Sequence, residues 1–319
     1  MPLDLTGNAF NKKSKDTIDI SKAKGNEKLQ SNDCVWVTTT PKFQMKDLIL
    51  DNSTRESLLD ATSFYTYQDK LMNEWGLRDR YSDRSNISIN LYGEPGTGKT
   101  MAAHAIAYEL GKEILFVDYA EIESKYVGET AKNIKQLFET AEMLDAIIIF
   151  DEADALLSKR VTDMRSSTDV SVNQTRSVLL NILNDYSGVV IFTTNFIQNF
   201  DPAFIRRIRY QIKFDLPNEE LRRNLWEMYI PEQMPTNIDY DSIAKKYEGV
   251  SGSDISNAVF SAATKAARSG SRIVDNCFFE EAIEQVIQAK KANKGSSETI
   301  TKRVVSEEYV KEQLRIKEI

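Results

Sequence analysis

The sequence predicts an α/β fold, a three-layer sandwich built on a parallel sheet, followed by a small C-terminal domain made of helices. Three observations carry that reading. Residues 93–100 form a glycine-rich run between a segment that alternates like a strand and one rich in alanine. Residues 146–150 and 189–193 are apolar or nearly so, as strands covered on both faces are. Beyond Pro217 the apolar residues recur at helical spacing to the end of the chain.

Taken in order, residues 1–33 are polar and short of apolar side chains, so they cannot bury enough surface to fold alone. They belong to an N-terminal arm, residues 1–45, expected to be disordered or to dock on a partner. Residues 34–38 suit a short strand, and residues 53–73 a helix leading into the core. Residues 87–92 alternate as a strand, and residues 101–110 read as the helix after the glycine-rich run. Ile134, Leu137, Phe138 and Ala141 share one helix face, suited to packing on a sheet. These elements define an α/β domain over residues 46–216. In the helical domain, residues 217–319, one stripe comprises Ile255, Ala258, Val259, Ala262 and Ala266, and another Phe279, Ala282, Ile283, Val286 and Ile287. Both stripes are core. Residues 290–297 read as a link and residues 306–319 as a last helix with Ser306 as N-cap.

The chemistry starts at Gly-Glu-Pro-Gly-Thr-Gly-Lys-Thr, residues 93–100, a complete G-x-x-x-x-G-K-[ST] phosphate-binding loop. Glycines let successive N–H groups turn inward on phosphate oxygens, and the following helix adds the positive end of its dipole. Contacts to a nucleotide are expected from Glu94, Pro95, Gly96, Thr97, Gly98, Lys99, Thr100 and Met101. Lys99 supplies charge to the β/γ-phosphates, and the Thr100 hydroxyl can ligate Mg²⁺. Residues 146–150 empty into Asp151-Glu152-Ala153-Asp154. An acid at the tip of a buried strand beside such a loop can hold Mg²⁺, and a second acid next to it can polarise an attacking water. Those roles fall to Asp151 and Glu152. Asn195, at the tip of the 189–193 strand, can orient that water or touch the γ-phosphate. About a dozen residues later comes an arginine cluster, Arg206, Arg207 and Arg209.

Composition closes off other classes. Hydrophobic content of 41% and charged content of 28% are those of a globular protein in water. A net charge of −7 gives no electrostatic footprint for a nucleic-acid backbone. Two cysteines, Cys34 and Cys277, and a single histidine exclude a Cys/His zinc cluster within one chain. That histidine, His104, lies in the helix after the phosphate loop and reads as structural. No Asn-Lys-x-Asp run for guanine occurs. The chain opens with no basic, apolar leader and holds no membrane-length apolar run, so a cytoplasmic location is expected.

The ordered set resembles the AAA+ ATPases, and within them the AAA subgroup that includes katanin, spastin and the proteasomal ATPases, as a single-module member. The resemblance covers roughly residues 46–290. It implies that residues 93–100 are Walker A, Asp151 and Glu152 Walker B, and Asn195 sensor 1. Arg206 and Arg209 match two arginine fingers that reach a neighbouring subunit's site, although Arg-Arg-Ile-Arg stands where the family usually reads Arg-Pro-Gly-Arg. Gly252 and Ser253, in Tyr-Glu-Gly-Val-Ser-Gly-Ser-Asp, match the sensor 2 segment near the nucleotide. Residues 124–129, Ser-Lys-Tyr-Val-Gly-Glu, resemble the first pore loop of AAA unfoldases, with Tyr126 as the gripping aromatic between Lys125 and Val127. A second pore loop would fall in residues 158–169, through Met164 and Arg165.

The resemblance thus implies ATP and Mg²⁺ as cofactors and a homo-oligomer, a hexamer, as the working form. Its partner is a protein substrate, with an adaptor where the short N-terminal arm cannot recruit the client itself. Two alternatives remain open on the residues alone. One is an ATP-dependent assembly switch that threads nothing. The other is a nucleic-acid-handling AAA+ loader, against which Tyr126 and the negative charge both speak.

Overall fold

In the computed structural model, residues 36–80, 87–118, 130–158, 167–195 and 200–293 are described. Among them, six strands form one sheet in the order β1-β3-β4-β5-β2-β6. The strands are β1 (Val37–Thr39), β2 (Ile87–Gly93), β3 (Ile114–Asp118), β4 (Ile147–Asp151), β5 (Val189–Thr194) and β6 (Tyr210–Phe214). All neighbours run parallel except β1, which lies antiparallel on β3 at the edge. The parallel sheet expected from the apolar runs is present, and the antiparallel edge strand is an addition to it. Parallel order needs a crossover between strands, and the helices α1 (Asn52–Thr66), α2 (Lys99–Glu109), α3 (Thr130–Leu144) and α5 (Ser167–Asp185) are long enough to provide cover on both faces.

Alternation along the strands divides the core into two. Ile148, Phe150, Val190 and Phe192 face a cluster with Leu137 and Phe138 of α3 and Leu179 and Leu183 of α5. Ile147, Ile149, Val189 and Ile191 face the other way, onto Leu58 of α1 and Ala102 and Ile106 of α2. That is the three-layer sandwich. The helix face Ile134, Leu137, Phe138 and Ala141 is buried, as its spacing requires. Phe150 and Phe192, on adjacent strands, stack with ring centroids 5.3 Å apart.

Two short helices, α4 (Asp154–Leu157) and α6 (Pro202–Arg207), flank the site strands. The helix expected over residues 53–73 ends earlier, at Thr66. The chain then takes a wider turn, Lys70–Glu74, in which the Trp75 N–H reaches the Lys70 carbonyl at 2.9 Å, and it stops at Gly76. Asp51 caps α1, accepting the Thr54 N–H at 2.9 Å and the Thr54 hydroxyl at 2.6 Å. Burial acts to raise the Asp51 pKa, but these hydrogen bonds outweigh it and hold the carboxyl below its ordinary range.

The chain divides into two compact units. Among the described residues, the first comprises those from 36 to 231 and 240–256, and the second residues 232–239 and 257–293. Within the first, α7 (Glu219–Tyr229) and α8 (Tyr240–Lys246) are joined by Arg222, which donates to the carbonyls of Ala244 and Pro217, both at 2.9 Å. Helix α9 runs over Gly252–Ser269 and α10 over Asn276–Asn293. Within the second unit, Lys265 pairs with Glu281, and the Val274 N–H donates to the Pro235 carbonyl at 2.7 Å. The first expected stripe is buried throughout, and Phe279, Ala282 and Ile283 of the second are buried, while Val286 and Ile287 are only half-buried. No described helix is long and apolar enough to cross a membrane. The N-terminal arm through residue 35, residues 124–129, Met164, Arg165 and the expected last helix lie outside the described residues.

Candidate nucleotide site

The site grows from the C-terminal ends of β2 and β4. Gly93 closes β2 with φ 134°, and a Cβ there would stand 2.1 Å from the Phe214 carbonyl oxygen on β6. Only glycine fits that close approach. Gly93→Ala is expected to cost about 3 kcal/mol of stability from strain and overlap together, with loss of nucleotide binding. Denaturant unfolding of the variant beside the parent measures the first effect directly. Gly96, at φ 75°, lies so near Ser251 and Ser253 that a Cβ would meet the Ser251 hydroxyl at 2.7 Å.

Lys99 begins α2 and is buried. Its ammonium donates to the carbonyls of Gly93 and Glu94 at 2.9 and 2.8 Å. Burial pushes its pKa down, against the opposing pull of Asp154, Asp151 and Glu94. A partly desolvated cation at a helix N-terminus gains most from an anion of high charge, and a polyphosphate is one. The Thr97 hydroxyl donates to the Glu94 carbonyl at 2.8 Å, bracing the loop from within.

Next to Lys99, the Thr100 hydroxyl donates to Asp151 Oδ1 at 2.9 Å. Hydroxyl from the first turn of α2 and carboxylate from the end of β4 converge on one point, and this all-oxygen pair fits a hard cation such as Mg²⁺. Glu152 is exposed and takes a left-handed backbone, φ 51°, so its side chain leaves the strand direction. Asn195 is half-buried, and its N–H is held between the two Asp154 oxygens at 3.1 and 3.3 Å. Asp154 is the one acid of this turn to which sequence reading assigned nothing. The structure gives it the job of tying α4 to the tip of β5.

A cavity of about 500 Å³ opens beside the loop, lined by Gly96, Thr97, Gly98 and Met101 together with Gly252 and Ser253. The Ser253 N–H donates to the Gly96 carbonyl at 3.1 Å, so the 251–254 segment and the phosphate loop are directly joined. Ser251 caps α9, and Asp254 reaches back to the Ser251 N–H and hydroxyl, both at 2.7 Å. This is a reciprocal box, with Ser251 at the cap and Asp254 as the acid three residues on. Leu48, Ile49, Leu50, Leu221, Leu225 and Met228 add apolar lining to the cavity, beside polar groups such as Asp47, Asp51 and Asn218. Sequence reading missed that lining entirely. The run Leu-Ile-Leu at residues 48–50, just before a helix cap, was the available signal.

The arginines stand elsewhere. Ser88, five residues before Gly93 on β2, donates to the Arg207 carbonyl at 2.9 Å and accepts the Arg209 N–H at 3.1 Å. At about 3.3 Å per residue, this pin lies about 16 Å down the strand from the phosphate loop. The Arg209 guanidinium lies over the Phe64 ring at 4.1 Å. Arg207 donates to Asn184 Oδ1 at 2.8 Å and to the Ala203 carbonyl at 3.1 Å. Arg206 is exposed. The structure therefore brings Lys99, Thr100, Asp151, Glu152 and Asn195 together with Gly252 and Ser253, and sets the arginines apart from them. Lys125, Tyr126 and Val127 lie outside the described residues.

His104 is buried between Phe43 and Phe116, with ring centroids 5.9 and 6.3 Å away. Burial, then the charge of Lys42, lowers its pKa against the pull of Asp151, which suits a neutral core imidazole. Among the described residues, no group of three or more His, Cys, Asp or Glu side chains could hold a metal ion.

Comparison with known proteins agrees with this geometry. Residues 89–218 match the ATPase family associated with various cellular activities (AAA), and residues 237–281 match the AAA+ lid domain. The proteasome-activating nucleotidase of Sulfurisphaera tokodaii is 35% identical over 226 residues, which cover 68% of this chain and 57% of that protein. The proteasome-activating nucleotidase of Aeropyrum pernix is 35% identical over 206 residues, 62% of this chain and 50% of that one. The 26S proteasome regulatory subunit 10B homolog A of Arabidopsis thaliana is 34% identical over 216 residues, 65% and 54% respectively. The chain spans about half the length of the curated relatives it matches. With the ATPase and lid family models matched in order around a complete phosphate loop, the chain belongs to the AAA family of ATPases.

Proposed function

We propose that the chain works in the cytoplasm as a ring, of six copies, that hydrolyses ATP between subunits and pulls a polypeptide through its central pore. One observation carries the shared-site part of this reading. The phosphate loop and Walker B acids gather at one end of the sheet, while Ser88, about 16 Å down β2 from the loop, holds the Arg207 carbonyl and the Arg209 N–H. A single chain thus offers half a site and half the charge needed to complete another.

In the assembled site, Lys99 holds the β/γ-phosphates, and Gly96, Thr97, Gly98 and Met101 cradle the chain of phosphates with Gly252 and Ser253. The base would rest against Leu48, Ile49 and Leu225. Thr100 and Asp151 would hold Mg²⁺, which supplies charge neutralisation at the phosphates when bound. Glu152 takes a proton from water that Asn195 helps to orient, and Arg206 of the next subunit meets the charge spreading over the transferred phosphoryl group. Arg209, committed to Phe64, shapes the same corner. Tyr126, between Lys125 and Val127, grips the client: an aromatic with amphipathic neighbours offers contact area to any extended chain. The names of the relatives, which activate or regulate a proteasome, support a protein client over a nucleic acid.

ATP turnover per subunit, followed with light scattering across a dilution series, tests the shared site. Turnover is expected to collapse as the assembly dissociates and to return on concentration. A rate per subunit that stays flat through dissociation would overturn it.

A further inference from the structure

The Asp151–Asp154 turn is fastened to β5, and one residue supplies most of the fastening. The Thr193 hydroxyl donates to Asp151 Oδ1 and accepts the Glu152 N–H at 3.2 Å. The Thr193 carbonyl accepts the Ala153 N–H at 3.0 Å. A threonine hydroxyl has a single hydrogen to give, and here that hydrogen goes to the acid that faces Thr100, while a lone pair takes the amide of the acid beside it. Thr193 is only 3% exposed, so water does not compete for either bond. Glu152 meanwhile holds φ 51°, a conformation that residues with a Cβ leave unless their surroundings fix them there. In sequence Thr193 reads merely as a β-branched strand residue, and its backbone ladder would be served equally by valine.

Resting on the ATPase reading above, we propose that Thr193 is a positioning residue for hydrolysis, locking the Glu152 backbone and the Asp151 carboxylate into one mutual geometry. It touches no substrate. It acts by keeping the carboxylate that takes the water's proton in register with the carboxylate that faces Thr100. A hydroxyl with a merely structural role would affect folding stability and leave the balance between binding and turnover alone.

The test uses the full assembled chain with Thr193→Val, which keeps the shape and removes both side-chain bonds, and Thr193→Ser, which keeps the hydroxyl. In Thr193→Val, kcat for ATP is expected to fall by roughly tenfold or more, the scale of one or two hydrogen bonds, with KM changed by less than about twofold. Thr193→Ser should retain kcat within about threefold. In the nucleotide-free protein, hydrogen exchange at the Glu152 and Ala153 amides should quicken by roughly tenfold in Thr193→Val, with the Ile149 amide unchanged. Parent-like turnover in Thr193→Val, equal losses in both variants, or unaltered exchange at Glu152 would each overturn the proposal. A parent chain that turned over no ATP would instead overturn the ATPase reading, and exchange at Glu152 would still decide whether Thr193 holds the turn. Should Thr193→Val not fold, Thr193→Ala carries the same readouts.

Discussion

Arg206→Ala is expected to lower ATP turnover by roughly 10³–10⁵-fold, the range for a finger that stabilises charge on a transferring phosphoryl group. Nucleotide affinity should stay close to that of the parent, because Lys99, Thr100 and the cavity beside Gly96 belong to the same chain as the bound nucleotide. The neighbouring arginines give the control. Arg207 is occupied by Asn184 and the Ala203 carbonyl, so Arg207→Ala should cost stability more than turnover. Arg209→Ala should fall between the two, since it removes a cation lying on the Phe64 ring of α1. Mixing distinguishes a finger offered to the neighbour from one used at home. Arg206→Ala subunits bind nucleotide but lack the finger, whereas Lys99→Ala subunits keep the finger and lose the nucleotide. Combined, the two inactive variants should regain part of the parent rate, because some interfaces then pair an intact loop with an intact arginine. A mixture as inactive as its components, in rings shown to contain both, would remove Arg206 from the neighbour's site.

What sequence could and could not reveal follows from how local each interaction is. The phosphate loop was legible because its parts are consecutive, and β4 and β5 because strands buried on both faces must be apolar along their length. The cavity lining was not, because residues 48–50 come to line one cavity with Leu221 and Leu225 only after the chain has folded back over more than 160 residues. The Leu-Ile-Leu run marks an apolar patch but not what shares its cavity. The same holds for the arginines: as a cluster they looked equivalent, and only tertiary contacts with Asn184 and Phe64 separate Arg207 and Arg209 from the exposed Arg206. Thr193 shows the limit most plainly. Its side chain serves residues 41 and 42 positions earlier, while its sequence neighbours say only that it belongs to a strand.

Glu152→Gln is expected to slow hydrolysis by roughly 10²–10⁴-fold, the usual worth of a positioned general base, while leaving ATP bound. The amide matches the carboxylate in size and still accepts a hydrogen bond, but it does not take a proton at neutral pH. Because Glu152 is exposed and makes its fixed contacts through its backbone N–H, the exchange should leave the turn in place. Chains stalled with nucleotide would then hold whatever they grip, and mass spectrometry of the material that co-purifies from the native host would identify it. The decisive comparison is with Glu152→Gln/Tyr126→Ala, stalled in the same state but without the aromatic. A protein recovered with the first and lost from the second establishes Tyr126 as the grip and threading as the work that hydrolysis drives. Equal recovery with both would sever Tyr126 from the client and leave ATP as a switch of assembly alone. Nucleic acid recovered in place of protein, and released by salt, would instead make the chain a loader.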